Sequence, residues 1–265
     1  MLLNMRSAQF IEAAAACLSN GERLIEDARW LPDERPATKF ALATIAQEEF
    51  AKAFLLFLAS RDVLVWNPLI FRATRDHASK QLLGLVMNYI NPTWDDFEKR
   101  VTAWREEHEK WEKLIAQYKA AVDRNERERA WNQLQEFNEQ HRDLPRAVAD
   151  AVNILRHEKI GRWKSSNWSW DQEPVYDAMA KSLADGRRDI EKQDALYVRI
   201  GAQGGLAKTP DEVKPEDAAQ ALEMAGRFCG LIEGLLSGSN VNSVEFEKIE
   251  SMFKGLFSSL DDNAS

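Results

Sequence analysis

The sequence predicts an all-α protein, and three observations support this class. Apolar residues recur every three or four positions through most of the 265 residues, which is the period of a helix with one buried face. Prolines and asparagines break this pattern into segments of helical length. No segment shows the strict alternation of apolar and polar residues that a half-buried strand requires. A chain of this length is also long enough to bury a sizeable core.

The first three helices are predicted from the positions of these breaks. The first helix carries one apolar stripe, formed by Phe10, Ala14, Cys17, Gly21, Leu24 and Ala28. The segment LPDERP ends it, because Pro32 and Pro36 cannot continue a helix. The apolar run ATKFALATIAQEEFAKAFLLFLAS predicts a second helix that ends near Ser60. A third helix lies between the breaks at Asn67-Pro68 and Asn91-Pro92.

Residues 93–165 have a different composition and predict an inserted helical arm. Their apolar positions alternate threes and fours as in a coiled-coil seam: Trp94, Phe97, Val101, Trp104, His108, Trp111, Ile115, Tyr118 and Val122. Between them lie mostly Glu, Lys and Arg. The segment DRNERERA is either the turn of an antiparallel hairpin or part of a continuous helix, and both interpretations remain open.

The rest of the chain completes a discontinuous helical core. After the polar, Trp-rich segment GRWKSSNWSWDQEP, helix resumes near Val175, and Thr209-Pro210 is typical of a helix start. We therefore predict a core of residues 1–92 and 166–258, the arm at 93–165 and a flexible tail at 259–265.

Composition limits the cellular context and the partners. A net charge of −8 argues against a protein that coats nucleic acid or an anionic membrane. Two cysteines, Cys17 and Cys229, form neither a disulfide framework nor a zinc pattern. The N-terminus lacks the apolar core of a signal peptide, and no apolar run approaches the ~20 residues that span a bilayer. We therefore expect a cytoplasmic protein with no membrane partner.

A pair of glutamates interrupts the apolar second helix. At about 100° per residue, Glu49 projects inside the apolar stripe, whereas Glu48 lies next to Lys52 one turn on. We therefore predict that Glu48 forms a surface pair with Lys52 and that Glu49 points into the bundle. A buried carboxylate needs a cationic partner, because unpaired burial costs several kcal/mol. Such a pair serves either a functional site or only the register of the helices.

Two segments concentrate basic residues. The first, FRATRDHASK, places Arg72, Arg75, His77 and Lys80 within ten residues, which indicates either an anion site or a solvated basic turn. The second, RHEKIGRWKSSNWSW, interleaves cations with tryptophans, a composition typical of surfaces that stack nucleic-acid bases. Alternatively, its tryptophans fold back onto the core. Its candidate RNA-binding residues are Arg156, Lys159, Arg162, Trp163 and Lys164, to which the first segment adds Arg75.

Several blocks resemble the AbiV-type abortive-infection proteins of bacterial phage defence. These blocks are NGERLIEDARWL, FALATIAQEEFAKAFLL, RDHASK and EKQDALYVRIGAQGGLAKTPDEVKPEDAAQALEMA. The resemblance covers roughly residues 8–90 and 185–237, and it leaves the arm outside. The motifs of that family correspond here to Glu48, Glu49, Lys52, His77, Lys80 and the Leu-Tyr-Val segment 196–198.

The resemblance implies a fold and an activity. The family belongs to the HEPN superfamily of helical domains, in which many members are dimeric ribonucleases that need no metal. Their signature, an arginine followed after four to six residues by a histidine, fits Arg72 and His77, which become the expected catalytic pair. Glu48, Glu49, Lys52 and Lys80 are expected to support them.

Two functions remain open from the sequence. The first is a phage-defence effector that acts on RNA or translation as a homodimeric, metal-independent endoribonuclease. The alternative is a non-catalytic protein that binds a phage or host protein through the arm. No cofactor is expected, and a di-iron centre is disfavoured because no histidine follows a glutamate at the Glu-x-x-His spacing.

Overall fold

The observed elements follow the breaks seen in the sequence and confirm the all-α class. The structure is a computed structural model, and it describes residues 2–140, 145–160, 176–239 and 243–257. In these ranges the helices, in chain order, are α1 (Leu2–Trp30), α2 (Pro36–Ser60), α3 (Pro68–Ala73), α4 (His77–Ile90), α5 (Trp94–Ala120), α6 (Arg124–Gln140), α7 (Arg146–Ile154), α8 (Ala178–Ala184), α9 (Arg187–Leu196), α10 (Pro215–Ser237) and α11 (Ser243–Phe257).

Four short elements join the helices in the described ranges. A π-helical segment, Leu155–Ile160, continues α7, and a 3₁₀ turn, Pro210–Glu212, precedes α10. Strands β1 (Arg199–Ile200) and β2 (Leu206–Lys208) pair with each other in antiparallel orientation, in the segment between α9 and α10. The predicted tail at 259–265 lies outside the described residues.

Helix α2 forms the centre of the bundle, where α1, α4, α9 and α10 all contact it. It is buried on almost every side because its apolar residues are not confined to one stripe. Phe50 and Phe54 are fully buried within it. A helix that is apolar all round is stable only when neighbours cover all its faces. None of the described helices combines the length and the apolar character needed to cross a membrane.

The chain divides into two compact units. The first contains Met1–Asn91 and Ala147–Ser265, and the second is Pro92–Arg146. In the second unit α5 and α6 contact each other across a three-residue break at 121–123, so the two helices form a hairpin. The turn lies earlier than predicted, because the segment DRNERERA is helical from Arg124 onward. Asp123 Oδ1 accepts a hydrogen bond from Glu126 N at 2.8 Å, which caps α6 and explains the break.

The arm ends earlier in the structure than the sequence suggests. The sequence predicts a boundary at residue 165, whereas the second unit ends at Arg146. Residues 147–160 belong to the first unit, where Val148, Val152 and Leu155 are buried. These three residues continue the period of the arm's return helix, so periodicity alone could not show that they pack in the core instead.

Candidate functional site

Three helices bring a cluster of charged side chains to one place. Glu48 comes from α2, His77 and Lys80 from α4, and Asp189 and Lys192 from α9. We call these five residues the Glu48 cluster. Every cation and acid in it has a partner within the cluster, as its distances show.

Capping residues set the start of α4 and therefore the position of His77. Asp76 accepts a hydrogen bond from Ser79 N at 2.8 Å, and His77 becomes the first residue of the helix. Upstream, Asn67 caps α3 through Leu69 N and Ile70 N, with Pro68 at the first helical position. Lys80 follows His77 by three residues, so both side chains face α2.

Glu48 is the centre of the cluster and is only 4% exposed. Its Oε2 accepts a hydrogen bond from Lys80 Nζ at 2.6 Å and lies 2.7 Å from His77 Nδ1. Its Oε1 accepts from Lys192 Nζ at 2.8 Å. A carboxylate buried to this degree requires such partners, because leaving it unpaired costs several kcal/mol.

Lys192 is the second bridging group, and it is 7% exposed. In addition to Glu48, its Nζ lies 2.8 Å from Asp189 Oδ1 and 3.1 Å from His77 Nδ1. Asp189 Oδ1 is 3.8 Å from the same ring nitrogen. The side chain of His77 is 49% exposed, so the ring joins the buried cluster to solvent.

The roles of the two glutamates are the reverse of our sequence prediction. Glu48 is buried and paired with cations from α4 and α9, whereas Glu49, whose side chain is 14% exposed, pairs with Lys52 at 2.5 Å. The projection assumed that α2 has one buried face. Because α2 is enclosed by four helices, the face with Glu48 is also buried, and the apolar stripe did not distinguish the two acids.

The pKa values of the two bridging groups favour their charged forms. Burial alone raises the pKa of Glu48, but hydrogen bonds from Lys192 and Lys80 outweigh it and hold this pKa below the ordinary value of 4.5. Burial likewise lowers the pKa of Lys192, but Asp189 and Glu48 outweigh it and raise this pKa above 10.5. Both groups are therefore charged at neutral pH.

These shifts predict how stability depends on pH. A lowered carboxylate pKa stabilises the fold above about pH 4.5, and this contribution is lost as the pH falls through the folded-state pKa. A raised lysine pKa stabilises the fold below 10.5, and this contribution is lost at higher pH. We expect the difference in free energy of unfolding between wild type and Glu48→Gln to be constant near neutral pH and to shrink on acidification. A difference that grows on acidification, in urea titrations followed by circular dichroism, contradicts this assignment.

The predicted catalytic pair lies on two sides of a tight turn. Arg72 is exposed on α3, and its carbonyl accepts hydrogen bonds from Arg75 N at 2.9 Å and Asp76 N at 3.1 Å. Arg75 is exposed and lies over the Phe71 ring at 6.0 Å. Lys192, rather than either arginine, is the cation seen at His77 Nδ1.

The second basic segment is only partly described. Lys159 donates a hydrogen bond to the Ala184 carbonyl at 2.7 Å, so its ammonium group ties the π-helical segment to α8. Arg156 is partly buried in the same segment. The other predicted RNA-binding residues, Arg162, Trp163 and Lys164, lie outside the described residues.

Asp189 and Lys192 were not singled out in the sequence. Both lie in or beside the block that carries the family resemblance, but their spacing of three is also that of an ordinary surface ion pair. Helix α9 in fact buries polar residues and exposes apolar ones. Lys192 and Asp194 are 7% and 4% exposed, whereas Ile190 and Leu196 are 46% and 42% exposed.

The donor atoms of Glu48, His77 and Asp189 also resemble a metal site. One atom of each lies within 4.8 Å of the others. Lys192 Nζ contacts the same three side chains at 2.8 to 3.1 Å, in the position that an ion would take. The chain therefore supplies its own positive charge there.

Fold and site together define an all-α helical bundle with a polar cluster on its central helix. Residues 9–230 match the family model of HEPN proteins described as AbiV. The chain therefore belongs to the AbiV family, as the resemblance of its motifs predicted. No curated protein and no solved structure matched the chain.

Proposed function

We propose that the protein is an abortive-infection effector that cleaves RNA without a metal ion, with His77 as the general base. The observation that carries this proposal is the 2.7 Å contact between Glu48 Oε2 and His77 Nδ1. A carboxylate that accepts a hydrogen bond from Nδ1 leaves the Nε2 lone pair free to take a proton. The ring is half exposed, so a substrate can reach it.

The chemistry follows from these groups. His77 Nε2 takes the proton of a ribose 2′-hydroxyl, and the oxygen attacks the adjacent phosphorus. The bond from phosphorus to the 5′-oxygen breaks, and that oxygen leaves with a proton from solvent. The products are a 2′,3′-cyclic phosphate and a 5′-hydroxyl end. A positioned base contributes about 10²–10⁴-fold to such a reaction.

Arg72 is proposed to bind the phosphate that is cleaved. It lies across the 74–76 turn from His77, and its side chain is exposed. Guanidinium groups bind phosphate oxygens with two parallel hydrogen bonds, and they stabilise negative charge that develops on the phosphate. The neighbouring Arg75 adds positive charge on the same turn, which offsets the negative net charge of the chain locally.

The test compares purified wild type with His77→Ala on transfer RNA and messenger RNA in the presence of EDTA. We expect the wild type to cleave and the variant to lose about 10²-fold or more of the rate. His108→Ala is the matched control, because His108 lies in α5 of the other unit. It should cleave as the wild type does. Equal activity of wild type and His77→Ala, or no activity in either, contradicts the proposal.

The second candidate function is binding of a phage or host protein through the arm. Trp111 and Trp131 are 38% and 45% exposed in this unit, and tryptophan is enriched at the centres of protein interfaces. The same variants separate the two candidates in cells. Loss of phage protection by His77→Ala supports RNA cleavage. Full protection by a folded His77→Ala protein supports binding of a phage or host protein through the arm.

A further inference from the structure

The proton positions at His77 follow from the distances around its ring. A 2.7 Å contact between Glu48 Oε2 and Nδ1 is favourable only if a proton lies between them, because two lone pairs repel each other. Nδ1 is therefore protonated and donates to Glu48, whose Oε2 also accepts from Lys80. Lys192 cannot then donate to Nδ1, so its 3.1 Å contact acts through charge alone.

The charges around the ring balance when the imidazole is neutral. Glu48 on α2 and Asp189 on α9 contribute two negative charges, and Lys80 on α4 and Lys192 on α9 contribute two positive ones. Without Lys192 the cluster has a net negative charge beside Nδ1. A net negative charge favours the doubly protonated imidazolium, which has no lone pair to act as a base.

We infer that Lys192 is a positioning residue that fixes His77 in the tautomer with its proton on Nδ1 and the Nε2 lone pair directed away from the cluster. It does so by balancing the charge of Glu48 and Asp189 and by holding both carboxylates through hydrogen bonds. This role rests on the proposed function, in which His77 is the base. A residue of α9 therefore helps to set the position of the proton on His77 of α4.

Variants of the two cluster residues on α9, Lys192 and Asp189, should have opposite effects on the protonation of the His77 ring. Lys192→Ala removes a positive charge, so His77 should take up its second proton at a pH higher than in the wild type. Asp189→Asn removes a negative charge, so this protonation should occur at a lower pH. A charge within about 4–6 Å of a titratable group favours the form of opposite charge. Altered packing alone gives no reason for shifts of opposite sign.

The measurement is the ¹⁵N spectrum of protein labelled at its four histidines, recorded across pH. The His77 signals are identified by their loss in His77→Gln, and the two ring nitrogens report both tautomer and charge. In the wild type we expect the neutral form of the ring to carry its proton on Nδ1. Lys192→Arg should keep this pattern because it keeps the charge. Lys254→Ala, which breaks an exposed pair with Glu250, should leave it unchanged.

The inference fails if Lys192→Ala and Asp189→Asn leave the His77 transition where the wild type has it, or move it in the same direction. If Lys192→Ala does not fold, Asp189→Asn and Lys192→Arg still test the direction in which the His77 transition moves. Asp189→Asn should fold because Asp189 is partly exposed. A wild type that cleaves no RNA contradicts the proposed function, whereas unchanged ring titrations contradict this inference. The two failures are therefore distinguishable.

Discussion

Glu48→Gln is expected to lower the free energy of unfolding by about 3–5 kcal/mol, the cost of removing one partner from a buried ion pair. Glutamine has nearly the shape of glutamate but no charge, so Lys80 loses its carboxylate partner and Lys192 keeps only Asp189. Both lysines are only 7% exposed, and water cannot replace the lost carboxylate. Urea unfolding at neutral pH measures the change.

Glu49→Gln is the matched control for this prediction. Glu49 is adjacent in sequence and carries the same charge, but its side chain is 14% exposed and pairs with Lys52, which is 26% exposed. Solvent reaches both partners of this pair, so the control should lose less stability than Glu48→Gln. If Glu49→Gln is the more destabilising variant, the observed roles of the two acids are wrong and the helical projection is correct.

Gly21→Ala is expected to destabilise the protein by about 1–3 kcal/mol, although alanine favours a helix by about 1 kcal/mol over glycine. A Cβ at position 21 of α1 would lie 2.6 Å from Cζ of Phe50 on α2. Phe50 is fully buried and cannot move aside freely. The overpacking therefore outweighs the gain in helix propensity, and thermal or urea unfolding measures the loss.

Two further variants separate close packing from helix propensity. At Gly226 on α10 nothing lies within 4 Å of the position that a Cβ would take, so Gly226→Ala should be neutral or stabilising by up to about 1 kcal/mol. Adding Phe50→Leu to the Gly21→Ala protein should recover part of the lost stability, because the smaller side chain makes room for the new Cβ. A Gly21→Ala protein as stable as Gly226→Ala contradicts the close contact.

The order of the helices was largely predictable because breaks in the chain are local. Pro36 begins α2 as expected, and α4 ends at Ile90, just before Asn91-Pro92. The single third helix that we predicted is instead divided into α3 and α4 by the turn at 74–76. Proline removes a backbone donor and restricts the residue before it, so its effect does not depend on distant parts of the fold. The class and the family could therefore be identified from short segments.

The members of the Glu48 cluster were only partly predictable. The segment FRATRDHASK identified His77 and Lys80, because a dense group of cations stands out in any sequence. It did not identify their partner correctly, since the choice between two adjacent acids depends on which helices cover each face of α2. Lys192 is separated from Glu48 by 144 residues, and nothing in its local spacing distinguishes it from a surface lysine.

The sequence by itself determined the helical class, the breaks between helices, the presence of an arm and the family. Each of these depends on local chemistry or on motifs read in order along the chain. The tertiary structure alone decided that Glu48 is the buried acid, that the arm ends at Arg146, and that α9 turns Lys192 inward. The physical reason is that burial depends on the neighbours of a helix: α9 exposes Ile190 and buries Lys192 because Glu48 and His77 lie opposite it.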